Sequence, residues 1–132
     1  MSYTVGDVIA ERTVHLTRES LVRYAGASGD FNPIHYRDDI AASVGLPGVL
    51  AHGMLTMGLA SSAVVAALGD SVNVTEYGVR FTRPVVVDPE NGADVSVLAK
   101  VGAVDETSAR IDLTVKHADT TVLVKAQLRV AL

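Results

Sequence analysis

The sequence predicts an α+β fold in which one long apolar helix is wrapped by a curved antiparallel sheet. Residues 40–69 contain no Asp, Glu, Lys or Arg, and their second half, residues 54–68, is apolar and free of proline. From residue 74 onward the pattern changes to stretches of strand-forming residues separated by turn residues. An apolar helix and a sheet with one apolar face bury each other's surfaces, so both observations point to one packed unit.

The helix of residues 54–68 is expected to be buried on all sides. A membrane span is the alternative, but about fifteen residues fall short of the ~20 that cross a bilayer. Small side chains recur along the segment and allow close approach of a surrounding sheet: Gly58, Ala60, Ser61, Ser62, Ala63, Ala66 and Ala67. The dipeptide Gly69-Asp70 supplies a C-terminal stop.

The sheet is expected to contain five strands. Four follow the helix, at residues 74–87, 93–104, 110–118 and 121–132, with turns at 88–92, 105–108 and 119–120, and one precedes it at residues 11–16. In the strand of residues 110–118, apolar and polar side chains alternate, which predicts one buried and one wet face. Two short helices complete the prediction, one capped at Thr17 and one at residues 37–44, opened by the solvated acids Asp38 and Asp39.

Length and composition exclude several classes of protein. The chain has 132 residues, which predicts a single domain over 1–132. The formal net charge is −4, from 11 basic and 15 acidic residues, and the charges are spread evenly, so no basic face for nucleic acid is predicted. The absence of cysteine excludes disulfides and a thiolate nucleophile, and it fits the cytoplasm. The start, MSYTVGD, predicts no signal peptide.

The segment between the predicted short helices carries more polar residues than turns require. Within it, Asp30 and His35 are five positions apart, and Pro33 disfavours a helical conformation at Asn32. A bent backbone there can bring a carboxylate and an imidazole to one cavity, where they share a water and exchange protons with a substrate. The alternative is that Asp30 caps a turn and His35 is a buried histidine with satisfied hydrogen bonds.

A second candidate lies at the entry to the long helix, in Ala51-His52-Gly53-Met54. Free N–H groups in a helix's first turn stabilise negative charge, and a glycine there admits a substrate carbonyl, so Gly53 is a candidate oxyanion donor. The alternative is that Gly53 only permits a tight entry. For His52 the favoured interpretation is a hydrogen bond to a nearby carbonyl.

The motifs SGDFNPIH, AHGMLTMG and TEYGVRFTRPV together resemble the MaoC-like (R)-specific enoyl-thioester hydratases and dehydratases, above all the catalytic subunits of actinobacterial dehydratases. The resemblance covers most of the chain and implies the hot-dog fold. It implies Asp30 and His35 as the catalytic dyad, the Gly53 amide as oxyanion donor and Asn32 as an orienting residue. Ser61 lies where some relatives place a polar supporting residue.

The activity implied by the resemblance is reversible hydration of trans-2-enoyl thioesters of coenzyme A or acyl carrier protein, without a metal or redox cofactor. The implied assembly is a homodimer, or a heterodimer with a related hot-dog subunit. A non-catalytic acyl-binding subunit and a hot-dog thioesterase are the alternatives. Arg80 and Arg83 are candidates for binding the carrier, although arginines on strands are often only solvated. His15 and His117 are expected at the surface, and no metal site is predicted.

Overall fold

The computed structural model describes residues 2–132. Along the chain the elements are β1 (Val8–Leu16), α1 (Arg18–Ser28), a short 3-10 helix (Pro33–His35), α2 (Asp38–Ser43), α3 (Gly53–Leu68), β2 (Val74–Phe81), β3 (Ala93–Val104), β4 (Ser108–His117) and β5 (Thr120–Ala131). The predicted α+β class, with one long helix and five strands, is confirmed.

The five strands form one antiparallel sheet in the order β1-β3-β4-β5-β2. The alternation predicted for β4 is confirmed, because Ile111, Leu113 and Val115 are buried. Ile111 lies between Val101 of β3 and Leu128 of β5, and all three are fully or almost fully excluded from solvent. The apolar face of the sheet therefore forms the core against which α3 packs.

The sequence predicts burial of α3 on all sides, and this prediction is wrong for the single chain. One side of the helix is buried against the sheet through its small residues, Ala60 and Ala63 among them. On the opposite side Met54 is 59% exposed and Val65 is 37% exposed. A five-stranded sheet covers only one side of a helix, so an apolar flank faces outward. No helix among residues 2–132 has the length and apolar character needed to cross a membrane.

The strand predicted at residues 74–87 is shorter than expected, since β2 ends at Phe81. Pro84 has no N–H to donate to a strand ladder, which explains why the chain leaves the sheet here. Instead, the following residues pair with the segment that leads into α3, where the Ala51 N–H donates to the Val85 carbonyl at 2.9 Å. This crossing forms a wall beside the start of α3.

The predicted helix ends are confirmed, and one hairpin turn is displaced. The Thr17 hydroxyl accepts a hydrogen bond from the Ser20 N–H at 3.2 Å and caps α1, and Gly69 ends α3 with a positive φ of 93°. The turn predicted at residues 119–120 begins one residue earlier. Ala118 and Asp119 are left-handed, with φ of 49° and 62°, the conformation of a two-residue hairpin turn that follows the twist of the strands.

Candidate active site

The loop after α1 presents Asp30 in a fixed orientation. Gly29 ends α1 in the left-handed conformation, with φ of 78°. One carboxylate oxygen of Asp30, Oδ1, accepts a hydrogen bond from the Asn32 N–H at 3.2 Å. Asn32 is extended, as expected before Pro33, and its own Oδ1 accepts from the Ile34 N–H at 3.2 Å. These hydrogen bonds stabilise the loop and leave the second oxygen of Asp30 without a hydrogen-bond donor in the part of the chain that the structure describes.

His35, the last residue of the 3-10 helix, is held by its ring. Its Nδ1 lies 2.7 Å from the Leu50 carbonyl oxygen. A carbonyl only accepts, so Nδ1 carries the proton and Nε2 presents a lone pair in the neutral ring. That Nε2 lies 4.0 Å from Oδ2 of Asp30. The ring of His35 is almost buried, whereas the Asp30 side chain is half exposed, so the pair spans the boundary between core and solvent.

A cavity of about 320 Å³ opens beside this pair. It is lined by residues of the 3-10 helix, the start of α3, the end of β2 and its following segment, and β5, including His35, Gly53, Thr56, Phe81, Arg83 and Leu123. The structure therefore brings His35, Gly53 and Arg83 to one space. Asp30 does not line the cavity itself; its carboxylate faces the cavity's histidine from the solvent side.

Gly53 begins α3, and its N–H has no hydrogen-bond acceptor among residues 2–132. The 16-residue helix directs the positive end of its dipole to this point. A Cβ on Gly53 would lie 2.8 Å from Cε1 of Phe81, so a side chain here would have to displace that ring. Glycine is consequently the residue that fits between the helix start and the cavity wall.

His52, the residue before α3, lies beneath the pair and is only 1% exposed. Its Nε2 is 3.2 Å from the backbone carbonyl oxygen of Asp30, which confirms the predicted hydrogen bond to a nearby carbonyl. Its ring also stacks on that of His35, with centroids 3.8 Å apart and planes inclined by 20°. The pKa of His52 is lowered, first by burial and second by the charge that His35 carries when it is protonated, and both effects favour the neutral ring of His52.

Asp30, His35 and His52 place one potential ligand atom each within 4.8 Å of the others. A metal bound by an imidazole nitrogen lies in the plane of that ring, and two nearly parallel rings 3.8 Å apart do not direct their lone pairs at one point. One nitrogen of each histidine is also used by a backbone carbonyl. The cluster fits proton transfer better than metal coordination.

Several predicted residues lie elsewhere. The Ser61 hydroxyl donates to the Gly58 carbonyl at 3.0 Å, within α3, and Ser61 does not line the cavity. Arg80 is exposed on β2 and also lies outside the cavity lining. Their supporting roles stay predictions. The strand histidines His15 and His117 are exposed and half-buried, respectively, and both bond Asp94 of the neighbouring strand, a partner that spacing along the chain does not indicate.

The acids that open α2 lie at the surface, but both are ion-paired. Asp38 lies 2.9 Å from Arg18, and Asp39 lies 2.6 Å from Arg37. In each case the guanidinium's hydrogen bond lowers the pKa of the carboxyl group. Arg18 also donates to the Val87 carbonyl at 2.6 Å. These contacts tie the start of α2 to α1 and to the segment after β2, and they do not reach the cavity.

One antiparallel sheet packed against one side of a long helix, with a cavity at the start of that helix, is the architecture of a hot-dog domain. Among known families, the model for the MaoC like domain matches residues 3–122. The chain belongs to that family.

The chain is similar to named proteins and to solved structures. The chain is 36% identical over 83 residues to 3-hydroxyacyl-thioester dehydratase X of Mycobacterium tuberculosis, a match covering 63% of this chain and 29% of the relative. A solved MaoC-like dehydratase superposes with a TM-score of 0.93 at 38% identity, over 98% of this chain and 40% of that one. The chain thus spans less than half the length of these proteins.

Two further solved structures resemble the chain over nearly its whole length. The R-hydratase PhaJ1 of Pseudomonas aeruginosa matches with a TM-score of 0.83 at 29% identity, over 97% of this chain and 80% of that one. A chain of the ChsH1-ChsH2 complex of Mycobacterium tuberculosis matches with a TM-score of 0.88 at 20% identity, over 99% of both chains. The second likeness is one of fold alone.

Proposed function

We propose that this chain is an (R)-specific hydro-lyase that adds water reversibly across the C2–C3 double bond of a trans-2-enoyl thioester to give the (3R)-hydroxyacyl thioester. The observation that carries the proposal is the His35 ring, whose Nδ1 is bound to the Leu50 carbonyl so that Nε2 faces Asp30 Oδ2 at 4.0 Å beside the cavity. Similarity to a thioester dehydratase and to an R-hydratase supports the same reaction.

The pair is suited to holding the attacking water. A water at hydrogen-bond distance from both Asp30 Oδ2 and His35 Nε2 fits on their open side, because the two atoms are 4.0 Å apart. In the hydration direction the pair removes a proton from this water as its oxygen bonds to C3. The pair then returns a proton to C2 on the same face, so no net proton is consumed. General acid–base catalysis of this kind contributes about 10²–10⁴ in rate.

The Gly53 amide is suited to the charge that the reaction creates. As water adds to C3, electrons move onto the thioester oxygen to form an enolate. A free N–H at the start of α3 donates to that oxygen, and the helix dipole acts in the same direction. One such donor is worth about 10²–10³ in rate. The reaction requires no metal or redox group in this scheme.

Arg83 lines the mouth of the cavity and has no carboxylate within 4.0 Å among the described residues. An exposed, unpaired guanidinium there is placed to meet a phosphate of coenzyme A or the acidic surface of an acyl carrier protein. Arg80, which is exposed on β2 three positions earlier, is a second candidate for contacting the carrier. The carrier assignment rests on this charge and on the thioester chemistry.

We further propose that residues 1–132 form one domain that acts in the cytoplasm as a dimer, with an identical chain or a related hot-dog subunit. Support for association comes from the unpaired edge of β2 and the outward flank of α3. Both carry exposed apolar side chains, including Val74, Phe81, Met54 and Val65. Exposed apolar surface next to an open strand edge favours pairing with a second sheet.

The decisive experiment compares wild type with Asp30→Asn and His35→Ala on short-chain enoyl-CoA. Loss of enoyl absorbance and release of free thiol are followed in parallel. We expect hydration without thiol release, and a fall in kcat of at least about 10²-fold in each variant. His15→Ala, a surface histidine substitution, serves as the control and is expected to retain activity.

Other outcomes would replace the proposal. Thiol release would make the protein a thioesterase, and tight acyl binding without turnover would make it a non-catalytic subunit. Near-normal turnover in either dyad variant would end the assignment of Asp30 and His35. The solution mass, measured on the same samples, distinguishes monomer from dimer, and mixing with a candidate partner subunit tests the heterodimer.

A further inference from the structure

We propose that His52 is a positioning residue that holds Asp30, His35 and the Gly53 amide in one arrangement. Its kinetic consequence rests on the function proposed above. His52 is 1% exposed and does not line the cavity, so it acts through its neighbours and not on the substrate.

His52 contacts both members of the pair and is bonded to Gly53. Its ring stacks on His35 at 3.8 Å, and its Nε2 lies 3.2 Å from the Asp30 carbonyl oxygen. Because it directly precedes Gly53, its backbone also fixes where the first amide of α3 points. A displacement of this one side chain therefore moves both members of the pair and the amide relative to one another.

A second ring also contacts His52. Tyr24, from α1, makes a T-shaped contact with the His52 ring, with centroids 4.8 Å apart and planes inclined by 67°. His52 is thus held between Tyr24 and His35. The titratable groups that face it are Tyr24 from α1, Asp30 from the loop and His35 from the 3-10 helix.

Packing alone does not explain an imidazole at this position. A carbonyl accepts only, so the proton of neutral His52 is on Nε2, and Nδ1 is left as a buried acceptor without a partner among the described residues. An unpartnered buried acceptor is unfavourable, and an apolar side chain would fill the space without it. An imidazole differs from such a side chain in supplying both a flat face for His35 and an N–H for Asp30.

The test separates these two contacts. His52→Phe keeps a flat ring and removes the N–H, whereas His52→Gln keeps an N–H donor and removes the ring. His117→Gln is the matched control, because His117 also bonds an aspartate backbone carbonyl, that of Asp94 at 2.8 Å, but does not line the cavity. Thermal unfolding of each protein establishes that it is folded before kinetics are measured.

We expect kcat to fall by about 10–10²-fold in both His52 variants while KM changes by less than about threefold, since misplacement of about 1 Å reduces reaction rates on this scale. The exchange rate of the His35 Nδ1 proton, followed by NMR, provides a readout that needs no turnover. It is expected to rise at least about tenfold in His52→Phe and His52→Gln and to stay constant in His117→Gln.

The outcomes distinguish the two proposals. If wild type hydrates no thioester, the proposed function fails, and the proton exchange of His35 alone decides the role of His52. A wild-type kcat or an unchanged His35 proton in both folded variants would overturn that role. Should one variant fail to fold, the other gives the answer.

Discussion

Substitution of Gly53 by alanine tests the placement of the helix start against the cavity wall. The added Cβ would lie 2.8 Å from Cε1 and 3.0 Å from Cδ1 of Phe81, whereas carbon atoms in ordinary contact are about 3.5 Å apart or more. The ring or the first turn of α3 must therefore move by about 0.7 Å. Phe81 is 56% exposed, so the ring has space to move outward.

The effect on stability is expected to be small and the effect on activity large. Alanine favours a helix over glycine by up to about 1 kcal/mol, which offsets the cost of moving an exposed ring. By contrast, the added methyl group and the displaced ring change the cavity wall beside the Gly53 amide, and moving the substrate oxygen away from that donor by a distance approaching 1 Å lowers the rate by about 10²-fold. We expect the free energy of unfolding of Gly53→Ala to lie within about 1 kcal/mol of the wild-type value and its kcat/KM to fall about 10²-fold.

Two further variants serve as controls for the Gly53→Ala measurement. Gly58→Ala places the same methyl group elsewhere in α3, where nothing lies within 4 Å, and is expected to stabilise the protein without loss of activity. The double variant Gly53→Ala/Phe81→Ala removes the clash and is expected to regain at least about tenfold in kcat/KM. Urea unfolding and initial rates of enoyl-CoA hydration supply both quantities. A kcat/KM within about threefold of wild type in Gly53→Ala would refute the reasoning.

Three further predictions concern stability. Tyr77→Phe removes a half-buried hydroxyl that donates to the Met57 carbonyl at 2.6 Å, and the free energy of unfolding measured in urea should fall by about 1 kcal/mol. Because burial raises the pKa of Tyr77 to about 12, this loss should be the same at pH 6 and pH 9. Burial lowers the pKa of His52 in the folded state, so below about pH 6.5 the unfolded chain binds more protons than the folded chain. The Tm should therefore fall on acidification through that pH, and it should fall less in His52→Phe. Equal slopes of Tm against pH in the two proteins would contradict the assignment. Ile111→Val, at a fully buried site, should cost about 0.5–1.5 kcal/mol by urea unfolding, and no loss would show that the core relaxes around it.

Much of the fold follows from local sequence. The period of β4, the cap at Thr17 and the stop at Gly69 are properties of neighbouring residues, and the structure has them where the sequence predicts them. The strand predicted at residues 74–87 is too long, because the apolar residues after Pro84 resemble the continuation of a strand. Their actual partners lie some thirty-five residues earlier, before α3, and only tertiary structure reveals them.

The sequence predicts those residues of the candidate site that belong to recognisable motifs. Asp30, His35 and Gly53 stand out by residue type and by resemblance. Leu50 does not, because it contributes a backbone carbonyl that every residue has. The stacking of His52 on His35 depends on how the chain returns over seventeen residues, which spacing alone does not determine.

Residues 82–87 cross over the segment before α3, so this part of the cavity wall and the proposed proton-transfer residues come from different stretches of the chain. In the mechanism proposed above, proton transfer depends on the loop after α1, whereas Thr82 and Val85 form part of the cavity wall. We therefore expect substitutions of Thr82 and Val85 to change which thioester enters while Asp30 and His35 keep their geometry. Selectivity and chemistry are separable here, which makes the wall the natural place to redesign substrate range.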